Sequence, residues 1–259
     1  MTRPSFQDYG TYDESAYPEL WDGVVGYWAP CLGPTGTRLH DVSRYNNWGT
    51  LTNMDAATDW VIDGGQYALD FDGSNDHVVT LSRGTSSSTR TVSLWMKYTG
   101  PGTGFRCAFD YGVVGTIGQR LFVGYNGQNI IMDRFGGGLA VSGYYDLAWH
   151  HVVVTDSLGN YSLFVDGKLG ASGSQASAPT LGTVYLGRAI DGAYFVGQVD
   201  DIGIYNRALT ANEIRSLYNL GRGGMLERRR RRLFYSMQAD VVRSYLFLNR
   251  GQVIGGGTL

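Results

Sequence analysis

A chain of 259 residues, 43% hydrophobic and 13% aromatic, holds ample apolar material for one large globular core and does not demand a second domain. Its two cysteines, Cys31 and Cys107, are too few for a disulfide framework and leave one bridge or two free thiols equally open, while no apolar run reaches the ~18 residues of a membrane span. The net charge of −2 hides an asymmetry: residues 222–259 carry eight arginines against Glu227 and Asp240, about +6, which leaves about −8 on the rest.

Residues 1–22 are polar and Tyr-rich without a clear period and read as an N-terminal arm. They lack the apolar core of a secretory signal, so synthesis in a cytoplasm without a signal peptide is the expectation. From Val24 onward, β-branched and aromatic runs recur between Gly, Asn, Asp and Ser clusters: "VVGYWA", "YALDFDG", "DHVVTLS", "RTVSLWMKYT", "FRCAFDYG", "RLFVGYN", "NIIMDRF", "AWHHVVVTDS", "YSLFVDGKLG", "VYLGRA" and "GQVDDIGIYN". These short strands, with almost no helical pattern, predict an all-β sandwich of two packed antiparallel sheets. The 38 glycines, about twice the usual share of roughly 7%, fit many tight turns and bulges. "SLGN" and "DGK" read as the turns of two successive hairpins. One short helix is predicted in "TANEIRSLYNLG", where Thr210 and Glu213 form a capping box and Gly221 suits the C-terminal stop.

Beyond the helix, residues 222–259 form a basic tail. Arg228, Arg229, Arg230, Arg231 and Arg232 precede "LFYSMQADVVRSYLFLN", in which Leu233, Met237, Val241, Tyr245 and Leu248 recur near helical spacing. An amphipathic segment of that kind must dock on a partner or on the sandwich, so the arginine run is expected to bind other protein subunits. Aromatics do not interleave the run, which disfavours nucleic acid.

The closing strand "GQVDDIGIYNRAL" places two adjacent carboxylates, Asp200 and Asp201, in an apolar stretch. Alternation of side chains puts Asp200 on the face of Ile202 and Ile204 and leaves Asp201 on the other, solvated face. A carboxylate on an apolar face needs a cation or several N–H donors. Catalytic group, metal ligand and satisfied structural anchor are the three readings.

Eight pieces in order, "GYWAP", "LHDVSRYNNWGTLTN", "ALDFDGSNDHV", "TVSLWMK", "WHHVVVT", "SLFVDGKL", "LGRA" and "GQVDDIGIYNRALTANEIRSLYN", resemble the laminin G-like, concanavalin A-like jelly-roll family over about residues 23–221. The resemblance implies a jelly-roll sandwich that binds through loops at one edge or through its concave sheet. It also implies calcium, held by an aspartate like Asp200 together with oxygens from early turns, which here offer Asp41, Asn46, Asp72 and Asp76. The alternative for the same residues is turn formation and acceptance of backbone N–H bonds.

Catalytic residues are not evident. Glycosidases on this kind of sandwich use an E-x-D-x-x-E pattern, and the four glutamates, Glu14, Glu19, Glu213 and Glu227, form none. His150 and His151 are strand neighbours that point apart, one packed and one exposed in this reading. For binding, Trp48, Tyr125 and Tyr194 lie in or beside predicted loops, where flat rings stack on sugars or anchor a protein. The function expected is therefore a non-catalytic structural and interaction protein, a module displayed on a large assembly through its terminal extensions and similar in architecture to accessory proteins on phage virions. The alternative is a calcium-dependent glycan-binding lectin.

Overall fold

The computed structural model describes residues 17–81, 89–175, 179 and 182–225. The chain enters through a one-turn helix, α1 (Pro18–Trp21), and then β1 (Val24–Trp28), a 3-10 turn (Pro30–Leu32), β2 (Arg38–Leu39), β3 (Gly49–Thr52), β4 (Trp60–Asp63), β5 (Gln66–Asp72) and β6 (His77–Leu81). It continues with β7 (Thr89–Tyr98), β8 (Phe105–Gly112), β9 (Arg120–Asn126), β10 (Asn129–Asp133), β11 (Gly138–Val141), β12 (His150–Ser157), β13 (Asn160–Val165), β14 (Lys168–Ser174), β15 (Thr183–Leu186) and β16 (Val196–Tyr205), and closes with α2 (Ala211–Leu220). One sheet runs β14-β13-β12-β7-β16-β5-β4, with β1 also paired to β16; the other runs β11-β10-β9-β8-β15-β6-β3-β2. Every pairing between named strands is antiparallel, giving the two-sheet sandwich that the strand pattern predicts and the jelly roll that the resemblance implies. The two hairpins fall where expected, with Ser157 opposite Asn160 and Val165 opposite Lys168.

Alternation explains the main core. Val92, Leu94 and Met96 of β7 and Val152 and Val154 of β12 face inward, meeting Phe109 of β8, Leu121 and Val123 of β9 and Leu186 of β15. The outer face of the first sheet is also covered. Val153, Phe164 and Tyr205 pack there against Leu20 and Trp21 of α1, Ile214 and Leu217 of α2, Cys31 of the 3-10 turn, and Met225. Both described ends of the chain thus enter one small second core. The side chain of Thr210 accepts from the Glu213 N–H and Glu213 answers at the Thr210 N–H, completing the capping box of α2.

The covered outer face corrects the reading of the histidines. Both are buried: His150 is held between Asp146 and Asp166, and His151, on the opposite face, bonds the Ser93 hydroxyl and lies beside Trp95 and Tyr218. Burial lowers His151 to about 4 and keeps it neutral. Cys31 and Cys107 are buried in separate clusters and are not bridged to each other.

Candidate functional site

Two of the predicted site residues turn out to organise loops. The carboxylate of Asp41, just after β2, accepts four hydrogen bonds: Oδ1 from the Tyr27 and Ser43 N–H groups at 2.9 and 2.8 Å, and Oδ2 from the Ser43 hydroxyl and the Asn47 N–H at 2.8 and 2.7 Å. Asp72 is exposed and caps a turn by accepting from Ser74 and Asn75, whose N–H groups draw it below the usual carboxylate range. Asp76 is buried, accepts from the Asp72 N–H, and is pushed up to about 6 by burial. Asn46 is exposed in the left-handed region. Asp41, Asp72 and Asp200 do not converge: among the described residues, the one group of three His, Cys, Asp or Glu side chains with ligand atoms within 4.8 Å of one another is Cys31, Asp200 and Asp201. The four positions Asp41, Asn46, Asp72 and Asp200 therefore do not fit a single ion in this arrangement.

At Asp200 the strand reading fails for a specific reason. One edge of β16 pairs with β5 up to Val199 and with β1 from Ile202 onward. Between them lies a bulge, with Asp201 left-handed at φ 46°. The bulge resets the alternation, so Asp200 sits opposite Trp95 on the outer face while Ile202 and Ile204 stay in the main core. Asp201 is not solvated either; it is 5% exposed. The acids occupy the gap where one strand partner gives way to the next. Asp200 Oδ1 accepts from the Cys31 N–H at 3.1 Å and from the Asp201 N–H at 2.9 Å. Asp201 accepts from the Cys31 thiol at 3.7 Å and from the Gly223 N–H.

Arg222 closes this knot. Its Nη1 lies 3.9 Å from Asp200 Oδ2, its other nitrogen donates to the Asp63 carbonyl, and its guanidinium lies over the Trp149 ring at 3.9 Å. Burial, and then the charge of Asp201, push Asp200 well above the usual carboxylate range; burial pushes Asp201 up to about 6 against the hydrogen bonds of Gly223 and Cys31. Both shifts favour a shared proton over two bare carboxylates, and Arg222 is the cation that faces what negative charge the pair keeps. Of the three readings of the acid pair, the N–H donors on Asp200 Oδ1 and Asp201 favour the anchor, with Asp200 Oδ2 meeting Arg222 as an ion pair and no hydrogen bond.

The predicted aromatics part company. Tyr125 is 1% exposed, stacked on Tyr98 at 4.6 Å with its hydroxyl donating to the Tyr144 carbonyl, and so belongs to the core and not to a binding surface. Tyr194 is half-buried beside His77 and Arg188. Trp48 is 41% exposed and lines a cleft of about 380 Å³ with Arg38, Asn46, Asn47 and Leu81; neither tyrosine reaches it. The loop that carries Trp48 is firmly held. Asn47 donates its side-chain amide to the Val25 carbonyl, and its own carbonyl accepts from Trp28 Nε1 at 2.7 Å and Thr80 Oγ1 at 2.5 Å. Together with the Asp41 clamp, this fixes the backbone on which Trp48 stands. His40 stacks on Trp48 at 4.2 Å, and Arg38 Cζ lies 5.7 Å from the ring. Arg38, Asn47 and Leu81 were not anticipated; the cue in "RLHDVSRYNNW" is a cation and an indole joined by turn-forming residues. Arg228 to Arg232 lie outside the described residues.

A family model described as Laminin_G_3, concanavalin A-like lectin/glucanases superfamily, matches residues 72–215, more than half of the chain. The chain belongs to this family. Among solved structures, the Laminin_G_3 sandwich superimposes on the receptor binding domain of botulinum neurotoxin D with a TM-score of 0.60 at 16% identity, covering 77% of this chain and 53% of that one. The ligand binding domain of botulinum neurotoxin serotype D in complex with N-acetylneuraminic acid gives 0.60 at 16%, covering 77% and 51%. The binding domain of Paraclostridial Mosquitocidal Protein 1 gives 0.58 at 18%, covering 77% and 52%. The chain spans about half the length of these toxin domains, and at such identity the likeness establishes a shared fold. No curated protein matches the chain.

Proposed function

We propose that this protein is a non-catalytic carbohydrate-binding module whose recognition surface is the cleft around Trp48. The observation that carries the reading is an exposed indole on a clamped loop, flanked by an exposed guanidinium and an exposed amide: a flat apolar face with hydrogen-bonding groups at its rim suits a sugar ring. Membership of a lectin-like family and structural likeness to receptor-binding domains support it. The burial of Asp200 and Asp201 supports the non-catalytic part, since carboxylates sealed beneath Arg222 and Gly223 do not reach a substrate. The test is a glycan array followed by titration of the hits. Trp48→Ala is expected to weaken binding at least tenfold while the melting temperature stays unchanged; unaltered binding would sink the reading. Repeating the titration with chelator measures any contribution of calcium, and a cleft with no carboxylate among its described lining residues is expected to show none.

A second reading, display on a large assembly through the terminal extensions, is favoured by one observation: both described ends are anchored in the same small core through Leu20, Trp21 and Met225. Extensions that leave one face together are suited to gripping a common partner. Native mass of the full chain against a chain ending at Met225 tests it; a large species formed by the full chain alone supports it, and equal masses count against it.

A further inference from the structure

The Trp48 cleft has a charge character that goes beyond a generic sugar site. Residues 1–221 carry about −8 in sum, yet among the described residues the cleft is lined by Arg38 and by no acid. Arg38 is exposed and makes no ion pair and no side-chain hydrogen bond among the described residues, while its guanidinium lies near the Trp48 ring. Burial and the nearby Arg38 draw His40 below its usual range, which leaves the arginine as the cleft's cation at neutral pH. A planar fork beside an indole matches a ring that bears a planar anion: the ring lies against the indole and the fork donates side-on to the carboxylate.

We infer that the cleft selects saccharides carrying a carboxylate, with Arg38 as the residue that determines this selectivity and Trp48 as the stacking platform. The inference rests on the carbohydrate-binding reading of the same cleft. Asn46, exposed at the rim, supplies an amide that suits a neighbouring hydroxyl. The clamp around Asp41 and Asn47 keeps the Trp48 backbone in place without a ligand, so little ordering cost is left for binding.

The experiment is isothermal titration of the full chain with three matched pairs: trigalacturonic acid, 3′-sialyllactose and a hyaluronan tetrasaccharide, each against its methyl ester, with lactose 3′-sulfate as a separate arm. For at least one pair the acid is expected to bind about 10- to 100-fold more tightly than the ester, the range of a hydrogen-bonded charge. Arg38→Gln is expected to erase that difference, read as the ratio of acid to ester affinity within the same variant, while Trp48→Ala removes binding of both. Because Arg38 is exposed, the Arg38→Gln chain is expected to melt with the wild type, which separates lost recognition from lost folding. Acid and ester bound equally, or a difference that survives Arg38→Gln, overturns the inference and leaves the carbohydrate reading standing. Lactose 3′-sulfate bound as tightly as the best acid overturns the carboxylate preference. No saturable binding in any arm overturns both readings.

Discussion

At the scale of single residues, the acidic pair shows how much a carboxylate's role depends on what lies within 4 Å of it. Asp200 and Asp201 look like ligands or catalysts by residue type, yet each is buried against N–H groups of the 3-10 turn, the bulge or the segment after α2, with Arg222 as countercharge. The raised value of Asp201 has a consequence for stability. A carboxyl near 4 when unfolded and about 6 when folded binds its proton more tightly in the fold, so its contribution is fully present below pH 4 and is lost as pH rises through 6. Asp201→Asn, which keeps an acceptor for the Gly223 N–H, removes that dependence. Relative to the wild type it is expected to gain stability progressively between pH 4 and pH 6, read as the difference in urea midpoints; midpoints that run parallel across this window would refute the assignment.

At the scale of elements, alternation made most of the sandwich legible, because a two-residue period is written directly in β7, β12 and β16. The same period placed Tyr125 in the core with Leu121 and Val123; the adjacent turn "NGQ" drew attention to the loop instead. A bulge is not written in hydrophobicity, since an inserted acid beside another acid looks like ordinary alternation. Its presence follows from long-range pairing, in which β16 changes partner from β5 to β1. The β2–β3 loop is the other illegible element: "HDVSRYNN" announces a turn but not which donors Asp41 collects. Removing that acceptor tests the loop as a unit. Asp41→Ala leaves four donors unanswered and is expected to cost about 2–4 kcal/mol of stability, judged from hydrogen bonds to charged groups. It is also expected to weaken sugar binding at Trp48 without touching the ligand. Amide exchange should speed up at Asn47 and Trp48 first; protection unchanged there would show that the clamp is not what holds the platform.

At the scale of the whole molecule, the proposed sugar-binding cleft and the anchoring segments lie on different sheets of the sandwich. Trp48 belongs to the edge of one sheet, next to β2 and β3, whereas α1, α2 and the Arg222–Met225 segment cover the outer face of the other. The described unit does not end with α2 at Gly221, where the sequence places its boundary. Arg222 neutralises the buried acid pair, the Gly223 N–H bonds Asp201, and Met225 fills the second core at 5% exposure. A chain cut after Gly221 leaves Asp200 and Asp201 without their countercharge, a situation that costs several kcal/mol when a buried pair loses one partner. For a domain of this size each kcal/mol moves the melting temperature by about 2–4 °C. The chain ending at Gly221 is therefore expected to melt about 5–10 °C below the chain ending at Met225 at pH 7. The gap should narrow toward pH 4, where both acids are protonated in either chain and the countercharge has nothing left to neutralise. Equal melting temperatures at pH 7 would mean that Arg222 and Gly223 only rest on the sandwich. A gap of the same size at both pH values would place the effect in the Met225 packing and not in the acid pair. Either result would also fix where a deletion of the arginine-rich tail must begin if it is to report on assembly and not on folding.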